Sequence, residues 1–380
     1  MTGSNPTGLS SQLDRYVAST PPDRDRFVDF LRVLAIGVVI VWHWALSITQ
    51  WEDGALVMPN PIDVVPGASI ATWVLQIMPL FFVVGGFVNY AAWRSSQRDG
   101  GGLKGFYVTR IRRLLWPTAV FVAVWLVLDG VLLLAVADYR SVVDWGLVIF
   151  KPLWFLAAYL WVILLVPLTA RLHDAGQALT LTGMGLTIAL VDLGRFWLGI
   201  EEFGFLNSAL VWVFVHQLGY FYRDGAFERI GRRGQAALSL GALTAMIVLT
   251  NLPVYAVSMV ATRDVEFSHM FPTTAMIAVV GLLQTGLAML LRPTLQAWLR
   301  RPRVWKTVIA LNAVILTVFV WHMTAKVAVL GAYEALGFEL LTEPTAAWWV
   351  QRPLWVVGPG LVLIVLVALF ARFELRLRGD

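Results

Sequence analysis

The sequence predicts an all-α fold: a polytopic bundle of about ten membrane helices with both chain ends in the cytoplasm. Three observations predict it. Of 380 residues, 58% are hydrophobic and 14% charged, against about 25% charged in a soluble domain. Apolar windows of about 20 residues, the length that crosses a hydrocarbon core as a helix, recur along the chain. The basic residues also alternate between loops. With the N-terminus in the cytoplasm, Arg140, Lys151, Arg195, Arg263 and Arg352 fall in outside loops and Lys326 falls within a span. The rest of the 29 Lys and Arg fall at the cytoplasmic side, as the positive-inside rule requires for an even number of crossings.

Residues 1–25 are polar and rich in Ser, Thr and Pro. They are expected to form a disordered cytoplasmic tail and not a cleaved signal peptide. An integral-membrane domain is expected over residues 26–373, with residues 374–380 as a cytoplasmic C-terminal tail. The first five spans are expected near Val28–Ile48, Ser69–Trp93, Leu114–Ala137, Pro152–Ala170 and Gln177–Leu193. The second five are expected near Phe205–Tyr222, Gln235–Tyr255, Pro272–Leu291, Thr307–Leu330 and Pro353–Phe370. No internal repeat marks the chain as an inverted-repeat transporter. The net charge of +5 stems from the loop pattern, so no nucleic-acid partner is expected; the partner surface is the bilayer itself. Cysteine is absent, which excludes disulfides, thiol nucleophiles and Cys-ligated metals. No other cluster has metal-ligand spacing, so no metal is expected.

The most informative stretch is Arg24–His43, which begins charged, becomes apolar and then carries a histidine deep in the apolar run. An ionisable group in a span costs roughly 2.5–3.5 kcal/mol on insertion scales and rarely persists without a task. At 100° per residue, His43 lies about 20° round the helix from Arg32 and about 40° from Asp29, so the three share a face. Span 9 places His322 at a comparable depth, with Lys326 one turn further on the same face. Asp129 reaches a similar level in span 3, where it can pair with Lys326 or another buried cation. His216 in span 6 lies nearer the middle and reads equally well as a packing residue. His173 and His269 fall in loops and read as surface residues.

A second constellation is cytoplasmic. Phe106–Pro117 leads into span 3, and its Arg110 and Arg113 are three apart and share a helix face. Two guanidiniums on one face make a fork suited to phosphate or pyrophosphate.

Together these residues resemble the membrane acyltransferase-3 family of integral-membrane O- and N-acyltransferases. Arg26, Asp29, Leu31, Arg32, Leu34, Ala35 and His43 match its first-span pattern, with Phe30 where the family usually has Gly. Pro79–Phe87 resembles its second-span pattern, with Gly85 in place of Ser. Arg110–Pro117 is similar to its R-x-x-R pattern, stretched by one residue before Pro117. Leu153-Trp154-Phe155-Leu156 and Val320-Trp321-His322-Met323 are further matches. The resemblance runs from about Asp25 to Phe373.

The resemblance implies an acyl-coenzyme A donor on the cytoplasmic side as co-substrate, with no permanently bound cofactor. The acceptor is then a hydroxyl or amine of a sugar, glycolipid or other small molecule, and the expected location is a bacterial plasma membrane. On this reading Arg110 and Arg113 clamp the coenzyme A phosphates, and Arg32 binds the donor or orients Asp29. His43 is the base or the acyl carrier, and both routes remain open. Asp29 and His322 complete the catalytic set, while Lys326 and Asp129 meet the acceptor. The competing class is a proton-coupled transporter or exporter, since buried His, Asp and Lys also suit proton relays.

Overall fold

The computed structural model describes residue 21 and residues 24–137, 139–262 and 267–379. Most of the tail expected over residues 1–25 therefore lies outside the described residues. The chain opens with α1 (Arg26–Val41), which continues as a single π turn over Trp42–Leu46. A hairpin of β1 (Gln50–Glu52) and β2 (Ala55–Val57) comes next. Then come α2 (Ala68–Leu75), α3 (Met78–Arg98), α4 (Gly102–Ala135), α5 (Leu153–Ala175), α6 (Gln177–Leu198), α7 (Phe203–Arg223) and α8 (Ala226–Thr250). The chain ends with α9 (Ala275–Leu299), α10 (Pro302–Ala313), α11 (Ile315–Ala335), the short α12 (Ala346–Val350) and α13 (Arg352–Gly379).

Among the described residues, nine helical stretches are long and apolar enough to cross a membrane. The tenth expected span is α7, a helix of 21 residues. Asn207, His216 and Gln217 dilute its apolar character, yet every residue from Val211 to Tyr220 is buried. Protein, not lipid, covers this helix, so its polar groups can be satisfied by neighbours.

The chain divides into two compact units. The first holds residues up to Pro59, Ile111–Trp154 and Gln296 onward; the second holds Asn60–Arg110 and Phe155–Leu295. In the first unit, Asp25 caps α1 by accepting from the Phe27 and Val28 amides at 2.9 and 3.2 Å. The expected ninth span is broken at Val314, between α10 and α11. The break frees the amides that open α11, and Glu374 of α13 accepts from the Thr317 amide and hydroxyl, both at 2.8 Å. Ala371 packs on Ala313 and Val314, and Asn312 donates to the Asp29 carbonyl at 2.8 Å. The start of α1 and the last turns of α13 therefore lie at one end of the unit, as an even number of crossings requires. At mid-height Trp321 stacks on Phe370 at 4.1 Å and meets Phe121 edge-on at 5.1 Å.

The hairpin after the first span lies outside the all-helical expectation. Its turn is Asp53-Gly54, both with positive φ (49° and 80°), the two-residue geometry that twists in the same sense as the strands. The expected second span is likewise broken, at Gln76 and Ile77, between α2 and α3. Pro79 opens α3 and cannot continue a helix from α2. In the same unit, the Gln284 amide of α9 donates towards the stranded carbonyls of Trp73, Val74 and Gln76, closest to Gln76 at 2.8 Å.

The centre of the second unit is the crossing of α3 and α7. A Cβ at Gly86 would run into the His216 carbonyl, and one at Gly219 would run into the Val83 carbonyl. Only paired glycines let the two backbones approach so closely. Phe82 stacks on Trp212 beside this crossing at 4.5 Å. Two histidines expected from the sequence to be surface groups are wholly buried here. His173 accepts from the Gln217 amide at 2.8 Å and donates to Asp224 at 3.0 Å. His269 lies against the Thr274 hydroxyl at 2.8 Å and the Ala256 carbonyl at 2.9 Å. His173 lies in the last turn of α5, which runs past the expected end of its span at Ala170, and His269 lies in the loop before α9, folded back on the bundle.

Candidate active site

The first unit brings His43, His322 and Lys326 into one cluster. α1 carries an apolar run to Val41, and the π turn then reorients the chain beyond it; such turns are frequent at functional sites. His43 Nδ1 lies 2.8 Å from His322 Nε2, with the rings nearly parallel and 5.1 Å apart. His322 Nδ1 rests on the Phe319 carbonyl. Two further bonds clasp the helices. Lys326 Nζ donates to the His43 carbonyl at 2.7 Å, and Trp44 Nε1 donates to the His322 carbonyl at 2.9 Å. His322 and Lys326 are wholly buried, whereas His43 is half-buried.

The hydrogen-bond chain fixes the tautomers. A carbonyl only accepts, so His322 Nδ1 carries a proton and donates to Phe319. In neutral His322 the Nε2 atom then bears the lone pair, and His43 must donate to it through Nδ1. This leaves the lone pair of His43 on Nε2, the nitrogen turned away from the pair. Two imidazolium ions in direct contact would repel by about 4 kcal/mol at an effective dielectric of 20. The pair therefore carries at most one positive charge.

Asp29, expected among the catalytic residues, stands apart from this cluster. It lies 14 positions before His43, about 20 Å along the helix at ~1.5 Å per residue. It is buried at 4% exposure and held by Arg24, whose Nη2 donates at 2.9 Å. Arg32 lies 4.0 Å from the same carboxylate and 3.5 Å from Asn312 Oδ1. These groups tie the first turns of α1 to α10. Asp129, expected to meet a buried cation, pairs with none among the described residues. Its oxygens accept from Tyr139, Ser141 and the Val142 amide at 2.8–2.9 Å, so it anchors the loop after α4.

Arg110 and Arg113 sit three residues apart on α4. Arg110 is half-buried and donates to the Val88 carbonyl at 2.8 Å; Arg113 is exposed. His216 is buried in the second unit and takes no part in the first unit's cluster. Asn89 Nδ2 donates to it at 3.1 Å and also to the Tyr159 hydroxyl at 3.1 Å. Sequence reasoning missed Trp44, the Phe319 carbonyl and Asn312. Asn312 was findable as a polar residue within an apolar span; a backbone carbonyl leaves no sequence signal.

A family model described as an acyltransferase domain matches residues 25–373, from the cap of α1 into α13. The chain belongs to the acyltransferase 3 family. It is an integral, multi-pass membrane acyltransferase. Searches of curated proteins and of solved structures returned no match. The two departures from the acyltransferase 3 patterns have local explanations. Phe30 meets Trp298 edge-on at 5.5 Å. At Gly85, Tyr159 occupies the space of a side chain, its ring lying 2.6 Å from where a Cβ would be. Tyr159 of α5 thus fills the space that a side chain at position 85 would take.

Proposed function

We propose that this acyltransferase moves an acyl group from acyl-coenzyme A to a hydroxyl or amine of a sugar, glycolipid or other small acceptor at a bacterial plasma membrane. The observation that carries the proposal is the relay from the Phe319 carbonyl through His322 to His43, which leaves one imidazole nitrogen available as a base. His43 Nε2 takes the proton of the acceptor as its oxygen or nitrogen attacks the thioester carbonyl. The C–S bond of the tetrahedral intermediate breaks, and the coenzyme A thiolate leaves with the proton held by His43. While His43 is charged, its Nδ1–H bond to His322 strengthens, as hydrogen bonds to charged groups do. His322 is a positioning residue in this scheme. Arg110 and Arg113, both on α4, are assigned to the coenzyme A phosphates on their spacing and on the family pattern they match.

The test is turnover by purified protein in lipid, following release of free thiol from acyl-coenzyme A. Wild type is expected to release thiol, His43→Ala to bind donor without turnover, and the Arg110→Ala/Arg113→Ala double variant to lose donor binding. No binding or cleavage of any acyl-coenzyme A by wild type refutes the donor assignment. An acyl group trapped covalently on His43 without acceptor refutes the base role in favour of an acyl carrier.

A further inference from the structure

Two basic side chains, Lys326 of α11 and Arg352 of α13, stand on the helices packed about the His43–His322 pair. Lys326, wholly buried, spends one donor on the His43 carbonyl. Arg352 opens α13, which packs along this site: its neighbour Gln351 reaches the Tyr333 hydroxyl of α11 at 3.4 Å, and a Cβ at Gly360 would lie 3.9 Å from the Trp44 ring of the π turn. Arg352 is half-buried with its guanidinium 3.6 Å over the Trp348 ring and 5.9 Å from that of Trp355. Its Nε donates to the Trp348 carbonyl at 2.9 Å. Among the described residues no carboxylate pairs with either cation. Glu334, on the same end of α11, is taken by the Trp51 indole at 2.8 Å.

A second, independent observation comes from Trp355. It is 4% exposed, and its indole N–H is buried with no acceptor. A buried Trp N–H usually finds a partner, and leaving it bare costs free energy. Tyr333 stands beside it, with ring centroids 5.5 Å apart. A guanidinium with no carboxylate partner among the described residues, a bare donor and aromatic faces gathered at the start of α13 describe a binding site for an anion attached to a ring-shaped body.

Resting on the acyltransferase reading, we infer that Arg352, Lys326 and Trp355 form the acceptor subsite, and that the acceptor is a sugar bearing a carboxylate or phosphate near the group to be acylated. The anion takes the charge of Arg352 and Lys326, the indole N–H donates to a sugar or anion oxygen, and the aromatic rings cover the C–H face. The lysine that pins the π turn thereby also brings the acceptor to His43.

The test is equilibrium binding by purified protein in lipid nanodiscs, with four probes: methyl glucuronide, glucose 6-phosphate, neutral methyl glucoside and inorganic phosphate. Wild type should bind one or both anionic sugars at least about tenfold more tightly than the neutral one. Which of the two binds better separates carboxylate from phosphate. Arg352→Gln should erase that preference, Arg352→Lys should keep most of it, and Trp355→Phe should weaken binding several-fold while thermal stability stays near wild type. Equal binding of neutral and anionic sugars, binding of none, tightest binding of inorganic phosphate alone, or a preference unchanged in Arg352→Gln overturns the inference. Thiol release from acyl-coenzyme A is measured separately. A protein that turns over donor but shows no anion preference loses this inference alone, whereas one without turnover loses the acyltransferase reading.

Discussion

Removal of His322 tests the relay most directly. In His322→Ala, His43 loses the acceptor at 2.8 Å that fixes its Nδ1–H tautomer. A hydrogen bond to a charged group contributes about 1.5–3 kcal/mol, and the proton taken up in the reaction makes His43 such a group. At 1.36 kcal/mol per tenfold in rate, that loss alone lowers kcat by about 10–100-fold. Loss of the correct tautomer adds to it, and removal of the orienting partner of a catalytic imidazole elsewhere reaches about 10⁴-fold. The expected result is a fall of about 10²–10⁴ in kcat with the KM for donor little changed, because the donor arginines lie on α4. The assay is steady-state thiol release by wild type, both single variants and the double variant His43→Ala/His322→Ala. Residues that act as a unit are not additive, so the double variant should be no slower than His43→Ala alone. A kcat for His322→Ala within about threefold of wild type, or losses that multiply in the double variant, would refute the relay.

Three further predictions concern the scaffold. Burial lowers His269, which sits in the loop between α8 and α9, from its ordinary pKa of 6.5 to about 4. The unfolded chain therefore takes up this proton first, and the stabilisation is complete above pH 6.5 and fades as pH falls towards 4, by about 3 kcal/mol in all. Thermal midpoints measured from pH 4 to 7 should drop less steeply for His269→Gln than for wild type, and identical profiles would count against it. Gly86→Ala drives a Cβ into the His216 carbonyl and should destabilise the fold by at least about 1–3 kcal/mol. Gly37→Ala, where nothing lies within 4 Å, is the control; equal thermal midpoints for the two would show that α3 and α7 are not held at contact distance. Asp129→Asn weakens three hydrogen bonds and should cost about 1–2 kcal/mol in stability while leaving the KM for acceptor unchanged. A raised KM at unchanged stability would instead return Asp129 to the acceptor site.

The sequence by itself determined that the chain is a bundle of membrane helices and where most of them run. Hydropathy over about 20 residues and loop charge are local properties, and the bilayer imposes both. It also singled out the histidine of the first span and the histidine and lysine of span 9, because a buried ionisable group is costly wherever the helix turns. The breaks at Gln76–Ile77 and Val314 were not legible, since each depends on a distant side chain, Gln284 or Glu374, satisfying the freed backbone groups. Tertiary structure alone decided who meets whom. Helical periodicity put Asp29, Arg32 and His43 on one face, but the 14 positions between Asp29 and His43 already hold them about 20 Å apart at ~1.5 Å per residue, and the π turn over Trp42–Leu46 left no sequence signal. The partners of Asp129 and His173 were not legible either: Ser141 comes from the loop after α4, and Asp224 from the end of α7, whose approach no local pattern records. Lys326 and Arg352 are 26 positions apart, and only the packing of α11 against α13, seen where Tyr333 meets Trp355 at 5.5 Å, puts them on neighbouring helices.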